Sequence, residues 1–77
     1  MKYTCTLDMD NEQGERCLLS VIFHADAFKR FAGFKTVVSD KPLYDEDLAH
    51  LEQFVMQAKD QWVVMPPRSV KQTSNNK

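Results

Sequence analysis

The chain has 77 residues, of which 43% are hydrophobic and 27% charged, and this composition is typical of one small soluble domain. Ten lysines and arginines against eleven aspartates and glutamates give a formal charge of -1, so the basic excess typical of nucleic-acid-binding domains is missing. No apolar run approaches the roughly 20 residues that cross a bilayer. The absence of a signal-peptide core and the presence of only two cysteines predict a cytoplasmic protein with reduced thiols.

The start of the chain predicts a β-hairpin. Residues 2–9 alternate between apolar and polar side chains, which is typical of a strand with one buried face. The polar run 10–14 ends in glycine and predicts a short loop. A second strand is predicted over 15–23, and its apolar residues on both faces favour a position with a neighbour on each side.

The middle of the chain predicts a short helix followed by a third strand. The spacing of the apolar residues in 27–32 favours about two helical turns, ended by Gly33 as a left-handed cap. The β-branched residues in 34–39 then predict a short strand.

A long amphipathic helix is the clearest element of the sequence. Between residues 45 and 61, apolar side chains recur at spacings of three and four, with Leu51 and Val55 at the centre of the stripe. The β-branched run 62–65, stopped by two prolines, predicts a final edge strand.

These elements predict an α+β two-layer sandwich of order ββαβαβ. We expect a mostly antiparallel sheet of three to four strands, with the short and the long helix packed on one face. Residues 1–67 are predicted to form the single domain, and residues 68–77 a disordered polar, basic tail. Whether the two late strands join the sheet of the hairpin is left open by the sequence.

No catalytic or metal-binding pattern is found among the reactive residues. Cys5 and Cys17 fall on inner strand faces, where a buried thiol acts as a small core residue. Together with His24 and His50 they lack the close spacing of zinc ligands. The two glycines form no phosphate-binding loop. The sequence therefore predicts a non-enzyme without a cofactor or metal.

Acidic and aromatic side chains provide the leading functional hypothesis, a small regulator or inhibitor that binds another protein. An acidic surface attracts a basic partner, and eight aromatic residues exceed what so small a core can cover. Phe54 lies beside the centre of the helix stripe, where the alternative to a partner contact is a homodimer contact. The predicted partner-binding residues are Phe34, Tyr44, Asp45, Glu46, Asp47 and Phe54.

The alternative hypothesis is a nucleic-acid-associated protein. Its cations would be Lys29, Arg30 and Lys35 around the first predicted helix, together with Arg68 and Lys71 of the tail. This set is small, so nucleic acid is the less favoured partner and a membrane is not expected.

Overall fold

The computed structural model describes residues 1–65 of the chain. They form a four-stranded antiparallel sheet with one α-helix packed against one of its faces. The elements in chain order are strands β1 (Lys2–Asp10), β2 (Arg16–Ala25) and β3 (Phe31–Ser39), helix α1 (Asp45–Gln57), a 3-10 turn (Lys59–Gln61) and strand β4 (Val63–Val64). In space the strands follow the order β3-β2-β1-β4.

Strands β1 and β2 form a regular hairpin. Their register runs without interruption from Lys2 opposite His24 to Asp10 opposite Arg16. Because β2 also pairs with β3, it has a neighbour on each side, which confirms the position expected from its apolar residues. The two late strands, β3 and β4, both belong to this sheet.

The hydrophobic core lies between α1 and the sheet. The helix contributes Leu51 and Val55, which are fully buried, as the stripe in the sequence predicts. The inner faces of the strands supply most of the other buried side chains: Tyr3, Cys5, Met9, Cys17, Leu19, Val21, Phe23 and Ala25.

An aromatic cluster fixes the end of α1 on the sheet. The Trp62 ring lies with its centroid 5.1 Å from that of Tyr3 and 4.6 Å from that of Phe23. Its buried Nε1–H donates to the carbonyl oxygen of Val55 at 2.9 Å, so the indole polar group is satisfied inside the core. Trp62 therefore connects the helix to the strand β4 that follows it.

The predicted ββαβαβ order with two helices is wrong. Within residues 1–65 there is a single α-helix, and the segment 27–32 that was predicted to be helical contains a turn and the start of β3. The Asp26 carboxylate accepts the backbone N–H groups of Phe28 at 2.9 Å and Arg30 at 3.0 Å, and Lys29 adopts a φ of 60°. These contacts close a tight turn in place of a helix.

Two β-bulges interrupt the pairing of β3 with β2. Ala32 and Lys35 have no partner on β2, because the register shifts at both positions. One extra residue between successive inward positions keeps Phe31, Phe34 and Val37 on the core side at a spacing of three. The strand predicted over 34–39 is therefore present but begins three residues earlier, at Phe31, inside the segment that was predicted to be helical.

The long helix is shorter than predicted, and a side chain of its own first turn caps its start. It begins at Asp45 as expected, where the buried carboxylate of Asp47 accepts the backbone N–H of Tyr44 at 2.9 Å. It ends at Gln57, before the 3-10 turn.

The predicted boundary after residue 67 and the predicted tail 68–77 lie outside the described residues. None of the helices within residues 1–65 has the length and apolar character needed to cross a membrane.

Candidate protein-interaction surface

A buried asparagine brings the two acidic segments of the sequence to the same end of the molecule. Asn11 Oδ1 accepts the backbone N–H groups of Gln13 and Glu15, each at 2.9 Å, which shapes the loop between β1 and β2. Its Nδ2 donates to the Pro42 carbonyl oxygen at 3.0 Å. The hairpin loop therefore lies against the connection from β3 to α1.

The resulting acidic end combines carboxylates that are distant in sequence. Its acidic residues are Asp8, Asp10, Glu12, Glu15, Asp40, Asp45, Glu46 and Asp47, and its cations are Arg16 and Lys41. Arg16 forms exposed ion pairs with Asp8 at 3.3 Å and Asp10 at 3.0 Å, and such pairs contribute little to stability. The carboxylates outnumber the cations, so this end attracts positively charged partners.

The sheet face opposite α1 is not covered by any described part of the chain. It carries apolar side chains among hydroxyl groups, and Leu18 and Val38 are 60% and 58% exposed. A shallow groove of about 600 Å³ runs between β1, β2 and β3 and is bordered by Asp8 and Asp40. We call this surface the open face; its side chains are Thr4, Thr6, Asp8, Leu18, Ser20, Ile22, Thr36 and Val38.

Asp40 connects the open face to the acidic end. Its Oδ1 accepts the backbone N–H of Leu18 at 2.8 Å, and its own N–H donates to the Leu18 carbonyl oxygen at 3.3 Å. This closed pair of hydrogen bonds holds Leu18 at the acidic border of the groove. Exposed aliphatic side chains bordered by charge are typical of a protein-binding surface.

A cationic turn lies at the other end of β2. Phe28 is 77% exposed, and the Arg30 guanidinium lies 5.2 Å from its ring centroid. Arg30 Nε also donates to Asp26 Oδ2 at 2.7 Å. Hydrogen bonds from Arg30 and Phe28 lower the pKa of the Asp26 carboxyl. The carboxylate that closes the turn therefore stays ionised in moderately acidic solution.

The predicted partner-binding residues are dispersed over the molecule. Tyr44, Asp45 and Glu46 are exposed at the start of α1 and join the acidic end. Phe54 is 38% exposed, further along the helix. Two members of the set serve the fold: the Phe34 ring packs edge-on against Phe31 at 4.7 Å, and Asp47 caps α1.

The predicted nucleic-acid-binding residues are only partly assembled. Lys29 and Arg30 lie in the turn between β2 and β3, and Lys35 lies at a bulge of β3. The first predicted helix that was to carry them is not present, which corrects their expected setting. Arg68 and Lys71 lie outside the described residues.

The register separates the two cysteines. Cys5 lies opposite Val21, whereas Cys17 lies opposite Met9, four positions along β1. Four strand residues span about 13 Å, which is too far for an intramolecular disulfide. Both thiols are free and buried in the core. His24 is exposed on the sheet, and His50 lies on α1 beside Glu46, so the two histidines do not approach the thiols.

Thiol titration of the native protein should show slow reaction at both cysteines and fast reaction in denaturant. Burial raises the pKa of the Cys5 thiol, so a smaller fraction is thiolate at a given pH, and Cys17 is fully shielded by the core. The sites of labelling are located by mass spectrometry after a short exposure to reagent. Rapid labelling of native Cys17 would contradict its core position.

Sequence reasoning overlooked Asn11 and the open-face groove. An asparagine that opens a polar loop favours a turn closed by its own side chain, and this signal was available in the sequence. Leu18 and Ile22 also stood out as apolar residues on the outer face of β2. Comparisons of the chain with protein-family models, with curated proteins and with solved structures found no match.

Proposed function

We propose that the chain is a small cytoplasmic protein-interaction module, without enzymatic activity, that binds a protein partner through its open face. The observation that supports this most directly is the exposure of Leu18 and Val38 beside the carboxylates of the acidic end. Burying the two aliphatic side chains provides affinity, and the carboxylates select a partner with a basic surface. A regulator or inhibitor of that partner is the role we favour.

The experiment is affinity capture from nuclease-treated extract of cells that contain the protein, with Leu18→Asp as the test variant. A carboxylate in the groove costs desolvation energy when a partner covers it, so the variant should lose the partner. The matched control is Leu48→Asp, which introduces the same charge at a leucine that is 46% exposed on α1. Thermal melting of both variants establishes that they are folded.

Loss of a discrete protein partner with Leu18→Asp, and its retention with Leu48→Asp, would support the open face as the binding surface. Equal capture by wild-type protein and Leu18→Asp would contradict it. So would loss of the partner in both variants, since that result would reflect a general effect of added charge.

The second candidate function is association with nucleic acid through the cationic turn. The specific observation is the exposed Phe28 ring next to Arg30 and Lys29, because an aromatic face with cations stacks on bases and contacts phosphates. The same capture without nuclease separates the two functions. Nucleic acid recovered by wild-type protein but not by Phe28→Ala would favour this candidate over the first.

A further inference from the structure

The backbone N–H and C=O groups of successive β1 residues point alternately toward β2 and toward β4. The Lys2 carbonyl oxygen accepts Met65 N–H at 2.9 Å from the β4 side. By contrast, the residues just outside either end of β1 bond on the β2 side. The Met1 carbonyl oxygen accepts Ala25 N–H, and Asn11 N–H donates to the Glu15 carbonyl oxygen. Since neighbouring residues of a strand direct their N–H and C=O groups to opposite sides, the even-numbered residues of β1 direct theirs away from β2.

Strand β4 covers only the first part of this outer edge. Its two residues pair with Tyr3 and Thr4, and Met65 adds the bond to Lys2. Beyond Thr4, the outward backbone groups belong to Thr6, Asp8 and Asp10, which are exposed residues. Within residues 1–65 these groups have no backbone partner. The last half of β1 is therefore an open sheet edge in line with β4.

The other edge of the sheet, formed by β3, is less suited to pairing. Its two bulges, at Ala32 and Lys35, break the regular spacing of backbone groups, and bulges and lysines are common protection against strand addition. The outer edge of β1 has no such interruption, because β1 keeps a continuous register with β2 over its whole length. On β3 the register is regular only over residues 36–39, so the longer regular edge open to an added strand is that of β1.

The side chains along the β1 edge define the chemistry of the added strand. In an antiparallel addition, residues opposite Thr6, Asp8 and Asp10 face the same side of the sheet as these residues. Arg16 is the cation that pairs with Asp8 and Asp10, and Glu12, Glu15 and Asp40 of the acidic end carry further negative charge nearby. Lysine or arginine at alternate positions of the added strand would complement this charge. The intervening residues would lie beside half-buried Leu7 on the helix side, where apolar side chains fit.

The same charges disfavour a second copy of the chain at this edge. An antiparallel β1–β1 pairing would bring Asp8 and Asp10 close to their counterparts on the other copy, and like charges across a strand pair are destabilising. The occupant that fits is therefore a basic segment of a different protein.

From this geometry we propose that residues 6–10 of β1 bind an extended segment of the partner, with basic and apolar residues in alternation, as an added β-strand. This rests on the proposed protein-binding function and names the form of the partner. Main-chain hydrogen bonds to Thr6, Asp8 and Asp10 hold the segment, and the carboxylates of Asp8 and Asp10 select its basic side chains.

Amide hydrogen exchange, read by NMR on the full chain, tests the proposal with a defined probe. The probe is a blocked peptide of about eight residues that alternates lysine with valine. In the free protein, the N–H groups of Thr6, Asp8 and Asp10 should exchange fast and those of Cys5 and Leu7 slowly. Saturating peptide should slow exchange of the three outward N–H groups by at least about tenfold.

Three controls show whether the interaction is strand addition. A peptide with glutamate in place of lysine should not bind. A peptide N-methylated at the residues whose N–H groups face β1 should not protect the edge, because its donors are removed. The Asp8→Asn, Asp10→Asn double variant should bind the lysine peptide about three- to tenfold more weakly. The control Glu52→Gln, at an exposed carboxylate of α1 outside the acidic end, should change binding by less than about twofold.

Protection of the three N–H groups in the free protein would overturn the proposal, because the edge would already be occupied. Binding of the peptide with protection at β3, or without any protection of β1, would also overturn it. The capture experiment with Leu18→Asp is independent of these readouts. Loss of the partner there, without peptide protection here, would leave the protein-binding function standing and reject the added strand.

Discussion

Leu51→Ala should lower the free energy of unfolding by about 2–5 kcal/mol. Leu51 has no exposed surface and lies between α1 and the sheet, so the substitution removes buried methyl groups and leaves a cavity. A domain of this size has on the order of 5 kcal/mol in total, so this single change is expected to bring the protein close to unfolding at 25 °C. Urea denaturation followed by circular dichroism measures the loss.

Phe54→Ala is the control on the same helix. Phe54 is 38% exposed, so its loss should cost about 1 kcal/mol or less. If Phe54 contacts a partner or a second copy, association weakens while the stability of the monomer is nearly unchanged. Equal destabilisation by Leu51→Ala and Phe54→Ala would place Phe54 in the core and remove it from the candidate contact residues.

Asn11→Ala should also destabilise the fold, by about 1–3 kcal/mol, although it removes a polar side chain from a loop. The Asn11 amide is buried and bonds to the hairpin loop, to the Glu15 carboxylate and to the Pro42 carbonyl oxygen. Alanine leaves these groups without the buried partner that joins them, and because Gln13, Glu15 and Pro42 are exposed, water replaces part of the lost bonding. Urea denaturation measures the change in stability, and NMR shifts around Pro42 report release of the loop.

Asn11→Asp distinguishes the accepting role of the side-chain oxygen from the donating role of the side-chain nitrogen. Aspartate keeps oxygen acceptors for the backbone N–H groups of Gln13 and Glu15, but it cannot donate to Pro42 and it adds charge next to the Glu15 carboxylate. Its loss of stability should therefore decrease as the pH falls and the carboxylates become protonated. A wild-type stability for Asn11→Ala would show that this asparagine does not connect the two segments.

The parts of the fold that the sequence predicted are those with strong local patterns. Alternation placed β1 and β2, and the spacing of Leu51 and Val55 placed the buried side of α1, because each pattern records which side of a single element meets the core. The Asp47 carboxylate caps the start of α1, so the helix begins at the residue where its sequence pattern begins. The predicted helix nevertheless continued too far, since the 3-10 turn after Gln57 preserves helical spacing.

The error at residues 27–32 has two causes. Residues 27–30 form a turn that the Asp26 side chain closes locally. Pairing with β2 makes Phe31 and Ala32 part of a strand, and the register shifts that hold Phe31 and Phe34 inward exist only in the presence of that partner. No local propensity encodes a bulge at Ala32 or Lys35. The candidate site was limited in the same way: both acidic clusters are visible in the sequence, but their convergence depends on the contact between Asn11 and Pro42.

The separation of the acidic end from the cationic turn gives the molecule an electric dipole along its strands. The two ends are joined by β2, whose ten residues span about 30 Å. A charged partner therefore exerts a torque as well as an attraction, and it rotates the protein into a preferred orientation before any side chains touch. Ionic screening shortens the range of this alignment to about 8 Å at physiological salt, so salt concentration controls how often an encounter is correctly oriented.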